Sequence, residues 1–165
     1  MTLLPLLDAS PAIQIHVAAA VLAFVLGGFV LFTRKGGRRH RRAGMIWVVL
    51  MVIACVSSFF IHMIRLVGPW SPIHLLSVLT LTSLAYAIAQ ARRRNIVGHQ
   101  RTMQGLYLGA LIGAGSFTFL PGRIMHEVMF GGPRPELGVA VAVATVAAGA
   151  WVALRARMRA AGAGR

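Results

Sequence analysis

The sequence predicts an all-α integral membrane protein. Three observations lead there. Of 165 residues, 58% are hydrophobic and only 12% charged, whereas a soluble domain carries roughly 25% charged residues to cover its surface. Apolar stretches long enough for a membrane helix, about 20 residues, recur along the chain. None shows the alternating strands of about 10 residues that build a membrane β-barrel.

Five transmembrane helices are expected, over approximately 13–33, 45–64, 73–91, 105–124 and 137–154. No basic region precedes the first, and Asp8 stands just before it, so it reads as a retained span and not a cleaved leader. The second carries the single cysteine, Cys55, which rules out an intrachain disulfide or a paired-cysteine redox site and is expected to pack as a small side chain. The third begins at Ser71-Pro72, where a proline lacking its N–H costs little. The fourth carries Gly105, Gly109 and Gly113, whose spacing of four lets another backbone approach closely, and ends at Pro121-Gly122, which loosen its last turn. A weaker row of small residues, Ala19, Ala23 and Gly27, lies on the first span. The fifth is mostly Ala and Val, bounded by Gly138 and Gly149, and has the faintest signature. Trp47, Trp70 and Trp151 fall near expected boundaries and read as interfacial anchors.

The basic residues set the orientation. The link "RKGGRRHRR" holds six, the link from Arg92 to Arg101 four, and the tail from Arg155 onward four. Only Arg65, Arg123 and Arg134 fall on the other side, together with every acid: Asp8, Glu127 and Glu136. The positive-inside rule then puts the N-terminus outside and the C-terminus in the cytoplasm. The formal charge of +14 is expected to face anionic lipids of the cytoplasmic leaflet, so nucleic acid is not needed to explain it.

No linker divides the chain, and one bundle is expected. Its first four spans form a core that reads as a doubled helical hairpin, with His16 to His40 echoed by His74 to His99; the bland alternative is that two short basic links resemble each other by chance. The fifth span is then an addition. Glycine-lined helices suit packing within the chain, a homo-oligomer or a membrane-protein partner.

His16, His62, His74 and His126 are expected one per span near the outer face, with Arg65 three residues from His62 and Arg123 three from His126. Imidazoles there suit axial ligation of haem b or binding of a transition metal, with the arginines holding acidic groups. The same groups also suit an anionic or quinone ligand, or plain interfacial hydrogen bonding, since histidine avoids the bilayer centre. His40 and His62 are 22 residues apart. That is about 33 Å of helix, longer than the roughly 30 Å hydrocarbon core, so the two ends read as separate features. His40 and His99, in the basic links, are expected to be solvated or lipid-facing.

The chain has no GxSxG, P-loop or HExxH motif and no acid inside a span, so catalysis by this chain alone is not supported. The leading expectation is a haem- or metal-binding redox protein with an outward-facing histidine cluster. The alternatives are a structural or assembly subunit of a membrane complex, and a small-molecule or lipid transporter.

The segments "KGGRRHRRAG", "SPIHLLSVLTL", "RRRNIVGHQRTM" and "AGSFTFLPGRIM" resemble the bacterial family of predicted membrane proteins catalogued as domain of unknown function 2306. The resemblance covers Ile15 to Met129 and leaves the fifth span outside, as an individual extension. It implies a multi-pass inner-membrane protein. It also implies weight on His74, His99, Arg101, Met103, Pro121, Gly122 and Arg123, with His40 and Gly44 corresponding in the first hairpin.

Overall fold

A computed structural model describes residues 3–61, 72–131 and 135–162. The described residues form helices and turns with no strand. In chain order these are α1 (Leu4–Leu7), α2 (Pro11–Phe32), α3 (Arg38–Ser58), α4 (Pro72–Arg92) and α5 (Ile96–Leu106), then a π-helical stretch (Tyr107–Gly113), α6 (Ala114–Ser116), a 3-10 turn (Phe117–Phe119), α7 (Ile124–Phe130) and α8 (Pro135–Gly162).

Among the described residues, three single helices are long and apolar enough to cross a membrane: Pro11–Leu31, Arg38–Ser58 and Ile73–Arg92. A fourth span arises if Ile96–Phe119 and Ile124–Phe130, inclined by 68°, act as one broken crossing. The fifth expected span lies on α8, whose described apolar part, Glu136–Trp151, is shorter. The break after Phe119 has a local cause: Gly122 takes φ +79°, a conformation that a residue with a Cβ rarely adopts.

Helix boundaries differ from the hydropathy reading at the basic end. Helix α3 starts at Arg38 and not near residue 45, and α5 starts at Ile96 and not near residue 105. Arginine is a good helix former, so the helix runs on past the point where the apolar signal stops. The links shrink to Thr33–Gly37 and Arg93–Asn95. Gly36 at φ +85° and Arg94 at φ 58° make the left-handed turns. Asn95 caps α5 by accepting a 3.0 Å hydrogen bond from the Gly98 amide.

The backbone divides into two compact units, Ala9–Tyr107 and a second made of Met1–Asp8 with Leu108–Arg165. In the first, α2 packs on α3, α4 on α5, and α3 on α4. Its interior is rich in small side chains while many large apolar ones lie outside. Ala19, Ala23, Ala54 and Ala87 are buried, whereas Leu22, Val25, Phe29 and Leu79 are exposed. That inversion suits lipid, where apolar tails give no drive to bury leucine and close backbone packing holds helices together. Ser58, fully buried, joins Ser77 through a 2.6 Å hydroxyl–hydroxyl hydrogen bond between α3 and α4.

The tighter of the two α2 glycines is Gly27, where an added Cβ would lie 2.5 Å from Trp47 Nε1 and 2.7 Å from the Tyr107 ring. The weaker small-residue row is therefore the packed one. At Gly105 and Gly109 an added Cβ would meet nothing within 4 Å. Trp47 is a core brace and not an interfacial anchor: it is 5% exposed, and its indole N–H donates to the Ala23 carbonyl at 2.9 Å. Trp151 is exposed, and Trp70 lies outside the described residues.

In the second unit, α7 and α8 pack together with the 3-10 turn. A Cβ on Gly138 would run into the Phe119 carbonyl and the His126 ring, and one on Gly149 would lie 3.0 Å from Ile112.

Candidate binding site at the basic end

Within the Ala9–Tyr107 unit, the Thr33–Gly37 turn and helices α2 to α5 line a half-open cavity of about 590 Å³. This lies within the range of roughly 300–1,000 Å³ usual for small-molecule and cofactor sites. Most of its lining is apolar, including Val30, Leu31, Val48 and Ile88, with Trp47 and Tyr107 as its aromatic part. Tyr107 is held in place by its hydroxyl, which donates to the Phe24 carbonyl at 3.1 Å. Two imidazoles, His40 and His99, also line the cavity, and Lys35, Arg41 and Arg92 bring positive charge to it.

The two histidines occupy matching places, each in the first turn of the second helix of its hairpin. They are not in solvated links, because the helices begin before them. They are close enough to interact electrostatically. His99 is oriented by a 2.9 Å hydrogen bond from its Nδ1 to the Ala87 carbonyl on α4. A carbonyl only accepts, so Nδ1 carries a proton, and in the neutral ring this leaves the lone pair on Nε2. A second hydrogen bond of this kind is what orients metal-ligating histidines and raises their basicity. His40 differs: its Nδ1 is enclosed and has no hydrogen-bond partner.

The outer set falls differently. His62 and Arg65 lie outside the described residues. His16 donates through Nδ1 to the Ala54 carbonyl at 2.8 Å, with Ser57 Oγ 3.4 Å from the same nitrogen. His74 is 4% exposed and stacks on Phe59 at 5.7 Å between ring centroids. His126 belongs to the second unit, 3% exposed against Phe130, with Nδ1 donating to the Phe119 carbonyl at 2.7 Å. Arg123 precedes α7 in extended backbone, so the shared helix face expected for it and His126 is not formed. Pro121 and Gly122 make the exposed turn before it, and Arg101 is exposed on α5. Among the described residues no three of His, Cys, Asp and Glu come together as a metal site.

The family described as predicted membrane protein, DUF2306, matches residues 13–159. The chain belongs to this family. The DUF2306 match runs through most of α8, so the fifth segment is part of the family pattern and not an individual extension. It encloses every helix that lines the cavity. No curated protein and no solved structure matches the chain.

Several features of the site escaped the sequence reading. Trp47 and Tyr107 are cavity walls, and Gly27 is the residue that admits them to α2. The available signal was the repeated His-x-Arg ahead of a methionine, His40/Arg42 and His99/Arg101. Both histidines fall in the first turn of a helix, and the helix starts hid that both line the cavity.

Proposed function

We propose that this membrane protein is a redox protein that binds haem b in the inner cavity, with His99 and His40 as the residues that would hold its iron. The carrying observation is the pair of imidazoles lining one mainly apolar, four-helix cavity, one of them oriented by a hydrogen bond from Nδ1 to Ala87. The donor set favours haem over a bare ion. A zinc site takes four ligands, at least three from the protein, whereas a porphyrin supplies four nitrogens itself and asks the protein for two. An apolar lining suits the macrocycle, and Lys35, Arg41 and Arg92 suit its two propionates. The inner pair thus replaces the outer histidines as the preferred ligands. In the same reading the protein lies in the bacterial inner membrane with its basic end in the cytoplasm, against anionic lipid.

The test is a reduced-minus-oxidised visible spectrum of the full chain purified in detergent from haem-replete cells, with haem quantified on the same sample. A sharp α-band at one haem per chain is expected, lost in His99→Ala while the protein still inserts. A colourless wild-type protein overturns the proposal, and phospholipid recovered from the cavity would point to lipid transport.

A second reading, an assembly subunit, rests on Gly105 and Gly109, where an added Cβ meets open space suited to a partner helix. Stable co-purification with another membrane protein, lost in Gly109→Leu, would support it.

A further inference from the structure

The two cavity histidines are held very unequally, and this bears on what the site does. The His99 ring is tied to α4 through Nδ1 and the Ala87 carbonyl. Its backbone is tied as well. Asn95 caps the first turn of α5 through the Gly98 amide, and its own side-chain amide donates to Gln90 Oε1 at 3.0 Å. Thr102 Oγ1 adds a 2.9 Å bond to the Gly98 carbonyl. A displacement of His99 therefore has to break several hydrogen bonds at once.

His40 has no such support. Its Nδ1 makes no hydrogen bond. It sits in the first turn of α3, whose N-cap is Gly37 with no side-chain cap. The preceding residue is Gly36 at φ +85°. Two adjacent glycines give this end of the helix the largest backbone freedom a chain can have, and an uncapped first turn frays most readily. The neighbouring arginines also oppose a tight first turn, since positive charge is unfavourable at a helix N-terminus.

We infer that His40 is an exchangeable ligand and that the reduced haem binds a small uncharged diatomic molecule in its place, inside the apolar cavity beside Trp47 and Tyr107. The inference rests on the haem reading above. The step is a substitution: the iron–nitrogen bond to His40 breaks, one bond to the diatomic forms, and no electron is transferred. An uncharged ligand suits the apolar part of the lining beside Trp47 and Tyr107, where a charged ligand would lose its hydration.

Carbon monoxide is the probe. It is added to the dithionite-reduced full chain in detergent, and the Soret and α-bands are followed by stopped flow. Wild type is expected to convert to a carbonyl spectrum. His40→Ala should react at least tenfold faster, because no ligand has to leave. Gly37→Asp should react several-fold slower, because it caps α3; Gly37 has an ordinary φ and open space around its Cβ position, so the side chain fits. A reduced haem spectrum that does not change under saturating carbon monoxide overturns the inference and leaves haem binding intact. Faster reaction in His99→Ala but not in His40→Ala overturns it as well, by making His99 the leaving ligand. Absence of haem from wild type removes both readings. If His40→Ala does not accumulate, wild type and Gly37→Asp carry the test alone.

Discussion

Single residues show why composition misleads inside a membrane. Trp47 stands near a span boundary and reads as an anchor, yet it is buried and bonded to a carbonyl of α2. What admits it is Gly27, a residue with no side chain to advertise its importance. Gly27→Ala should be costly, because the new Cβ would press on both Trp47 and Tyr107. Overpacking of this kind costs about 1–3 kcal/mol, so the thermal midpoint of the detergent-solubilised protein should fall by several degrees. Gly109→Ala, facing open space, should leave it within about 0.5 kcal/mol of wild type, as exposed substitutions do. Equal effects at the two positions would refute this account of the packing. The glycine pattern in the sequence ranked these sites the other way round, because spacing reports which residues share a face and not what that face meets.

At the scale of elements, the decisive events are helix starts. Hydropathy finds the part of a helix that sits in lipid, while the helix itself extends into the basic residues beyond. His40 and His99 look solvated when the links are taken as loops, and they line a cavity once α3 and α5 are seen to begin at Arg38 and Ile96. The α5 start depends on Asn95. Asn95→Ala removes the cap, at a cost of about 1 kcal/mol. It also removes the hydrogen bond to Gln90. Haem occupancy at limiting haem should drop in this variant, while Asn95→Asp, which caps equally well, should restore it. If occupancy is unchanged in Asn95→Ala, the first turn of α5 does not position His99. The broken segment after Phe119 is a second case: Pro121 and Gly122 were legible as a loosened turn, but the 68° inclination that follows was not.

For the whole molecule, the charge asymmetry is the strongest sequence signal, and the first basic turn together with the first turns of α3 and α5 borders one cavity. The proposed orientation predicts that Arg39→Cys and Arg93→Cys resist a membrane-impermeant maleimide in intact cells and react after permeabilisation. The native Cys55 is buried and should give little background. Labelling of both positions in intact cells would invert the topology and move the cavity to the outer face. Low-salt binding to anionic vesicles over neutral ones would not by itself decide this, since a charge of +14 attracts either leaflet's anionic lipid.

The sequence by itself determined the membrane class, the helical architecture and the family. Each follows from summed properties over about 20 residues: apolar length, charge count and motif order. It also named His40 and His99 as equivalent positions. Tertiary structure alone decided that these two imidazoles share a cavity, that Ala87 orients one while the other has no such tie, and that Gly27 is the tight contact. The physical reason is that a lipid-facing helix shows apolar residues on every side, so periodicity cannot say which face turns inward. That choice is made by close approach between helices, which is a property of pairs of surfaces and is written in no single segment.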